Sequence, residues 1–410
     1  MVITMLREEL KKIWRPGMIL LLVFLGCVFY SMFLEFYIRY FPNGPHAVGV
    51  FQVGAELVER YGTSLSKEEA AELEQELPKL YERADMYVKG FERAKKYGLS
   101  TYEEYLNFCN DTVEALANGE AADLNEAYAD SQIIDNYLIS EETGNISGKI
   151  YGTECLLRFY HTFSELGPEA ADRISNSERE HENAEKMLFG EDKLWQNILP
   201  DQVPEAASTY LGYLLVWMCL SVCLLLSPLQ VHDRMSRMRA LQYSSKRGRS
   251  IFLTQFYAVM LSAFLLTTGN LVLFGGIFAT NGTDVFASCR MFSFASAGGC
   301  WSNWTYRGWW VALIILCYLV AMGTAAISFF LSGYSSHYIA MLLKLIPVFT
   351  VAAILSPMIL YRAFYYGNML YRMIGVPYVE AGAAGVIFAA GVALCVGAYR
   401  HRLTASLADI

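Results

Sequence analysis

The sequence predicts an all-α polytopic membrane protein: six transmembrane helices, with a large and mostly helical extracytoplasmic domain inserted between the first and the second. Three observations support this fold class. Hydrophobic residues make up 54% of the 410 residues, and the mean hydropathy is +0.29. Long uncharged runs recur along the chain. The stretch between the first two runs differs sharply in composition, because it is strongly acidic.

The uncharged runs are long enough to cross a bilayer, since a helix needs about 20 residues to span roughly 30 Å of hydrocarbon. Four of them lie at 16–34, 206–231, 250–283 and 381–399. A further run from 308 to 361 is interrupted by "SGYSSH" at 332–337, which predicts two helices joined by a tight turn. Six spans exclude a soluble protein.

The first run could instead be a cleaved signal peptide. Its apolar core at 18–34 is longer than the usual 7–15 residues, and no A-x-A-like site follows before Arg39. The sequence therefore favours an uncleaved first span.

Basic residues set the predicted orientation through the positive-inside rule. With six spans, the segments before the first, after the second and after the last fall on one side, predicted to be the cytoplasm. Their basic residues include Arg7, Lys11, Lys12, Arg15, Arg400 and Arg402. Four of the seven tryptophans lie just before the fourth span, as an aromatic belt at the opposite interface requires: Trp301, Trp304, Trp309 and Trp310. The prediction is a plasma-membrane protein with both termini cytoplasmic.

These patterns divide the chain into segments. They are a cytoplasmic amphipathic helix at 1–16, transmembrane helix 1 at 17–39, an acidic extracytoplasmic domain at 40–207, transmembrane helix 2 at 208–231, a basic cytoplasmic loop at 232–250, transmembrane helices 3 to 6 within 251–400 with an outer loop at 280–306, and a cytoplasmic tail at 401–410.

The acidic domain carries 33 acidic and 14 basic residues, a formal net charge of −19, whereas the rest of the chain carries +11. Capping-box patterns mark helix starts at Ser66 with Glu69 and at Ser100 with Glu103. Apolar residues at three- and four-residue spacing follow each start: Leu73, Leu77, Leu80 and Tyr81, then Tyr102, Tyr105 and Leu106. At about 168 residues, the domain can bury a core of its own.

Four cysteines fall in segments predicted to face outward: Cys109, Cys155, Cys289 and Cys300. An oxidising surface would permit two disulfides, Cys109 with Cys155 and Cys289 with Cys300. The sequence gives no distances, so both pairings stay open. The other five cysteines lie in predicted spans, where a thiol is a small buried hydrophobe.

Motifs that resemble catalytic or metal sites do not meet the chemical requirements. "GNISGK" at 144–149 has three residues between its glycines instead of the four of a phosphate loop, and "HENAE" at 181–185 lacks the second histidine of a zinc helix. The charged residues near the spans each lie toward an end, where snorkelling explains them: Glu35, Lys344, Arg362, Arg372 and Glu380. The sequence therefore predicts no enzyme active site, no metal and no nucleic-acid partner.

The loop "RMSRMRALQYSSKRGRS" at 234–250 is strongly basic and contains no acid. Basic residues there could simply anchor the loop to anionic headgroups. The apolar residues add a helical pattern, because Val231, Met235, Met238 and Leu241 recur at helical spacing. The pattern predicts an amphipathic helix that continues the second span.

The chain resembles the permease subunits of bacterial type-2 ABC exporters. The resemblance rests on three features. The topology consists of one span, a large outer domain and five further spans. The segment "REELKKIWRPG" precedes the first span, and a basic loop that begins with an acidic residue follows the second. The loop of that family is matched by Asp233, a helix around 235–241, "YSSKRGR" at 243–249 and "SIFLTQF" at 250–256. Asp233 stands where glutamate is usual, and Gln255 where a lysine often follows.

The resemblance implies a non-catalytic subunit that moves a peptide, lipid or antibiotic-like substrate. A separate cytoplasmic ATPase would bind ATP and Mg²⁺, and a second permease chain, identical or not, would complete the transporter in the lipid bilayer. Residues 3–14 and the coupling loop 232–250 would dock on the ATPase. The implied coupling residues are Asp233, Arg234, Arg237, Arg239, Lys246, Arg247 and Arg249.

A different class of function is a non-transporting membrane receptor or immunity protein, in which the acidic domain binds a ligand. One span would serve such a protein, so the five others count against it. The sequence also leaves open whether 363–379 is a plain outer loop or a re-entrant helix.

Overall fold

The computed structural model describes residues 2–119, 124–190, 193–196, 199–238, 248 and 250–404. Within these residues the chain forms helices and turns, and β-pairing is limited to one isolated bridge between Cys300 and Tyr365. The predicted all-α class is confirmed. In chain order the α-helices are α1 (Val2–Ile13), α2 (Pro16–Phe29), α3 (Phe36–Arg39), α4 (Pro45–Tyr61), α5 (Lys67–Gly90), α6 (Glu92–Lys96), α7 (Tyr102–Ala117), α8 (Leu124–Leu138), α9 (Ile146–Leu166), α10 (Glu178–Phe189), α11 (Gln202–Leu226), α12 (Pro228–Met235), α13 (Ile251–Ala279), α14 (Tyr306–Ser332), α15 (Tyr338–Leu360), α16 (Met369–Ile374) and α17 (Val379–Thr404).

The chain folds into two compact units. The membrane unit comprises residues 1–39, 204–283 and 300–410, and the inserted unit comprises residues 40–203 and 284–299.

Within the described residues, the membrane unit contains six helices that are long and apolar enough to cross a bilayer, as predicted. The chain is therefore a multi-pass membrane protein. The six are span 1 (Pro16–Leu34), span 2 (Gln202–Met235), span 3 (Ile251–Ala279), span 4 (Tyr306–Ser332), span 5 (Tyr338–Leu360) and span 6 (Val379–Thr404). The tight turn predicted at 332–337 joins spans 4 and 5, because α14 ends at Ser332 and α15 begins at Tyr338.

Spans 4 and 6 approach each other closely at two glycines. A Cβ added at Gly323 would lie 2.8 Å from the backbone of Ile387, and one added at Gly391 would lie 2.7 Å from the carbonyl oxygen of Gly323. Small residues allow such close packing in membranes, where van der Waals contact drives helix association. The small-residue segments "GTAAIS" at 323–328 and "AGAAGVIFAAG" at 381–391 thus each supply a glycine, Gly323 and Gly391, that lets these two spans pack closely.

The inserted unit has a helical core built from α5, α7, α8 and α9. Its buried centre includes Val88, Tyr105, Ile134 and Ile150. Of the apolar stripe predicted on α5, Leu77, Leu80 and Tyr81 pack against this core and Leu73 is buried, whereas Leu106 on α7 is 39% exposed. The stripe prediction is therefore correct except at that residue.

Capping boxes begin two of these helices. Ser66 caps α5 with Glu69, as predicted. On α7 the cap is Thr101 with Glu104, one residue beyond the predicted pair, because the N–H and hydroxyl of Ser100 both donate to the Glu104 carboxylate. That side chain also accepts from the Thr101 N–H, so the box forms one residue later.

The "GNISGK" segment forms the start of α9 and serves packing. A Cβ added at Gly49 of α4 would lie 2.0 Å from the carbonyl oxygen of Gly148, so the two helix backbones touch there. Asn145, which precedes α9, donates to the Gln52 side chain at 3.0 Å. These contacts explain the residues found at Gly148 and Asn145, so a bound phosphate is not needed to explain them.

Asp130 is a buried acid held by surrounding donors, with its side chain 2% exposed. Lys96 donates to it at 2.8 Å and Tyr97 at 2.9 Å, and Arg93 forms an ion pair with it. The Lys96 hydrogen bond above all, with those of Tyr97 and Arg93, outweighs desolvation and lowers the pKa of Asp130 to about 2.

This pKa predicts an acid-sensitive inserted unit. A lowered folded-state pKa stabilises the fold fully above the ordinary value of 3.8, and this contribution is lost as the pH falls through about 2. We expect α8 in the full chain to lose hydrogen-exchange protection between about pH 4 and about pH 2, after correction for intrinsic rates. Asp130→Asn should lower protection already at neutral pH and remove this pH dependence. The control is Asp111→Asn, an exposed acid on α7; equal exchange in both variants would contradict the prediction.

The glycine contact predicts a second effect. Gly391→Val should lower the free energy of unfolding by about 1–3 kcal/mol through overpacking against span 4. Gly385→Val on the same helix is the control, because a Cβ there meets nothing within 4 Å. Thermal unfolding in detergent compares the two variants, and matching midpoints would show that close packing at Gly391 is unimportant.

Candidate functional site

Two buried carboxylates meet between α1, α12 and α13. Lys12 Nζ donates to Glu9 Oε1 at 2.7 Å and to Asp233 Oδ1 at 3.3 Å. The Gln255 amide nitrogen donates to Glu9 Oε2 at 3.2 Å and to Asp233 Oδ2 at 2.6 Å. Glu9 is 8% exposed, Asp233 5% and Gln255 1%. Both acids therefore share the same two donors.

The hydrogen bonds continue to the end of span 6. The side-chain oxygen Oε1 of Gln255 accepts a hydrogen bond from Gln230 Nε2 at 3.2 Å. The side-chain oxygen Oε1 of Gln230 accepts one from Arg402 Nη2 at 2.8 Å. The Arg402 guanidinium also lies 4.3 Å from the ring centroid of Phe252, a cation–π contact. The polar network defined by these contacts consists of Glu9, Lys12, Gln230, Asp233, Gln255 and Arg402.

The network is electrically balanced, since it contains two acids and two bases. Burial alone would lower the pKa of Lys12, but the hydrogen bond and charge of Glu9, with those of Asp233, raise it overall. The ammonium is therefore charged at neutral pH. Buried charges are tolerated when they are paired and hydrogen-bonded, and this arrangement meets both conditions.

The sequence of α1 places its network residues on one face. Glu9 and Lys12 are three residues apart, so they lie on the same side of the helix as the buried Ile13. The neighbouring pair Glu8 and Lys11 has the same spacing and the same 2.7 Å distance, but both side chains are more than half exposed. One of two similar ion pairs is thus buried in the network and the other is at the surface.

The structure describes three of the predicted coupling residues. Asp233 is buried in the polar network, Arg234 is partly buried and Arg237 is exposed. Of the helix predicted around 235–241, only 235–238 lie within the described residues; there α12 ends at Met235 and Arg237 has a φ of +56°. That left-handed residue ends the helix before the basic stretch. Four predicted coupling residues lie outside the described residues: Arg239, Lys246, Arg247 and Arg249.

The sequence did not single out most of the network. The sequence marks Gln255 only as a departure from a family pattern, and it gives no sign that Glu9, Gln230 or Arg402 belongs to a site. The only local signal was the three-residue spacing of Glu9 and Lys12 on an amphipathic helix. The remaining contacts join residues that are distant in sequence.

Glu380, at the start of span 6, is a further buried acid. It is fully buried, and one carboxylate oxygen accepts from the backbone N–H of Phe364, while Oε2 has no hydrogen-bond partner among the described residues. Snorkelling is therefore the wrong explanation for this residue. Arg362 is also engaged, since it pairs with Glu205 at 3.2 Å.

The segment 363–379 folds around a short helix. Asn368 caps α16 by accepting from the backbone N–H groups of Leu370 and Tyr371. α16 has six residues, and at about 1.5 Å per residue it is far shorter than a leaflet. The segment is thus a structured loop that contains one short helix.

None of the nine cysteines, all of which the structure describes, forms a disulfide. Neither pairing considered from the sequence is formed there, Cys109 with Cys155 or Cys289 with Cys300. Burial raises the pKa of Cys289 and of Cys300 to about 12, so both thiols are protonated at neutral pH. A protonated thiol does not take part in disulfide exchange.

Metal-binding clusters of three or more histidine, cysteine, aspartate or glutamate residues are not found in the part of the chain that the structure describes. In "HENAE", His181 instead pairs with Asp172 at 2.7 Å.

Comparisons with protein-family models, curated proteins and solved structures found no match for this chain.

The paired charges on α1 predict unequal effects of two similar substitutions. Glu9→Gln should destabilise the docking of α1 by about 1–3 kcal/mol, because it removes a charged acceptor from a buried network. Glu8→Gln breaks a pair of the same spacing at the surface, where screening makes the loss negligible. Hydrogen exchange of residues 2–13 in the purified full chain measures both. If the two variants lose equal protection, the network does not hold α1.

Proposed function

We propose that this chain is the permease subunit of an ATP-driven exporter of the type-2 ABC kind. It moves a peptide, lipid or antibiotic-like substrate across the plasma membrane. The chain itself is not an enzyme and binds no cofactor, and a separate cytoplasmic ATPase binds ATP and Mg²⁺. A second permease chain completes the transporter.

One observation carries the proposal: the two segments assigned to the ATPase contact are bonded to each other. Lys12 lies in the N-terminal amphipathic helix and Asp233 leads the basic loop, and their side chains meet at 3.3 Å although 221 positions separate them. Two segments that dock on the same ATPase surface must lie close to each other. The contact between Lys12 and Asp233 is consistent with this requirement and so supports the proposal.

The exposed end of the loop supports the same role. Arg237 and Met238 are both exposed beyond the end of α12. A basic loop suits an acidic or polar partner surface, where charge chiefly tunes the association rate and the register. In this arrangement the polar network and both termini face the cytoplasm, in agreement with the positive-inside rule, and the inserted unit is extracytoplasmic.

Coupling then follows from the rigidity of the network. When the ATPase dimer closes on ATP, it displaces the coupling loop, and Asp233 passes the displacement to α1 and to α13. Packed helices respond to such a displacement by rigid-body movement. The permease interface opens outward as a result.

The test is purification of the tagged full chain from its native membrane in mild detergent, with mass spectrometry of whatever accompanies it. We expect a near-stoichiometric ATPase subunit. The double variant Arg237→Glu/Arg239→Glu should recover roughly tenfold less ATPase, because like charges then face each other at the contact. Arg372→Glu is the control, since this exposed arginine lies on α16, far along the chain from the loop.

Recovery of the chain alone across several detergents would overturn the proposal and would favour a ligand-binding receptor. The same holds if the double variant retains both the ATPase and transport while remaining inserted in the membrane.

A further inference from the structure

An apolar groove lies between spans 1, 2 and 3 of the membrane unit. Its volume is about 370 Å³, within the range of about 300–1,000 Å³ that is usual for ligand pockets. It is partly open rather than fully enclosed. The lining residues are almost entirely apolar, and they include Ile19, Val23, Tyr30, Trp217, Leu266 and Phe274.

Three polar side chains in the wall, Trp14, Trp217 and Ser221, already have hydrogen-bond partners. The Trp217 indole N–H donates to Asn270 at 2.8 Å, and the Trp14 indole N–H donates to Ser262 at 3.0 Å. The Ser221 hydroxyl donates to a backbone carbonyl of its own helix. These three donors therefore need no acceptor from a molecule in the groove, and with the largely apolar lining this favours a hydrocarbon ligand over a polar one.

The length of the groove matches one leaflet. Its lining runs from 19 to 30 on span 1 and from 266 to 277 on span 3. Eleven steps of about 1.5 Å along a helix give about 16 Å. Half of the roughly 30 Å hydrocarbon core is about 15 Å. An extended acyl chain of a single leaflet therefore fills the groove from end to end.

A cation stands at one end of the groove. Trp14 closes that end, and Arg15 is the next residue. Arg15 is exposed, and its side chain makes no hydrogen bond or ion pair within the described residues. The neighbouring lysines differ, because Lys11 and Lys12 are paired with Glu8 and Glu9. Arg15 is thus available to the headgroup of a lipid whose chain lies in the groove.

We propose that this groove binds one anionic phospholipid, with an acyl chain between spans 1, 2 and 3 and its phosphate-bearing headgroup at Arg15. Tryptophan at the boundary between headgroup and hydrocarbon is usual in membrane proteins, and Trp14 takes that position. This lipid site does not depend on the chain being a permease.

The experiment uses the full chain in vesicles of equal parts phosphatidylcholine and phosphatidylglycerol. A trace of either lipid carries a photoactivatable diazirine on its acyl chain, and mass spectrometry locates the cross-links. We expect cross-links to concentrate at 14–30 and 266–277, with the phosphatidylglycerol probe favoured about fivefold over the phosphatidylcholine probe. Arg15→Gln should remove that preference while leaving the cross-linked positions unchanged.

A groove-filling variant tests the position of the acyl chain. Cys27 is exposed and lines the groove, so Cys27→Trp should displace the probe from both segments. Phe24→Trp is its control, because Phe24 is 64% exposed on the same helix and does not line the groove. Its labelling should match that of the unaltered chain.

Two results would overturn the proposal, and the first needs no variant. Cross-links spread evenly over the exposed faces of all spans, alike for both lipids, would show ordinary bilayer contact only. Alternatively, mild oxidation that joins two chains through Cys27, with the probe absent from the groove, would show that a second copy occupies it.

Discussion

Glu9 and Asp233 accept hydrogen bonds from the same two donors, and the packing of α1, α12 and α13 against one another depends on this shared interaction. Removing a carboxylate from water costs several kcal/mol unless it is paired and hydrogen-bonded. Lys12 and Gln255 each serve both acids. The four groups lie on α1, α12 and α13, so a helix that left the site would strand a buried charge on its neighbours. The three helices are therefore held as one body.

Asp233 lies near the end of this body, because α12 stops two residues later at Met235. Rigid structure thus continues through Asp233, and the chain turns at Arg237 into the basic loop. A force applied to the loop reaches Asp233 across a single helical turn. Separating a buried ion pair costs more free energy than moving the pair as a unit, because separation leaves each charge buried without a partner. Displacement of the loop accordingly carries α1 and α13 with it.

The sequence predicted what depends on local pattern. Span number follows from uncharged length, the turn at 332–337 from its polar residues, and the cap at Ser66 from its pairing with Glu69. The network could not be predicted, because the hydrogen bonds that tie α1 and the end of span 6 to spans 2 and 3 join residues 172 to 246 positions apart. Glu380 could not be placed from the sequence either. An acid at the start of a helix has the same neighbouring residues whether its side chain snorkels to the interface or is buried. Tertiary packing decides between those outcomes.

Span 3 brings the polar network and the lipid groove onto one helix. α13 has 29 residues, more than the roughly 20 that hydrocarbon requires, and Gln255 lies in its first turns. Ser262 follows, bonded to Trp14, and the groove begins at Leu266. Trp14 comes directly after α1, so a shift of α1 that disturbs Glu9 and Lys12 also moves the residue that closes the groove. The charge balance of the network and the shape of the lipid site are therefore physically linked.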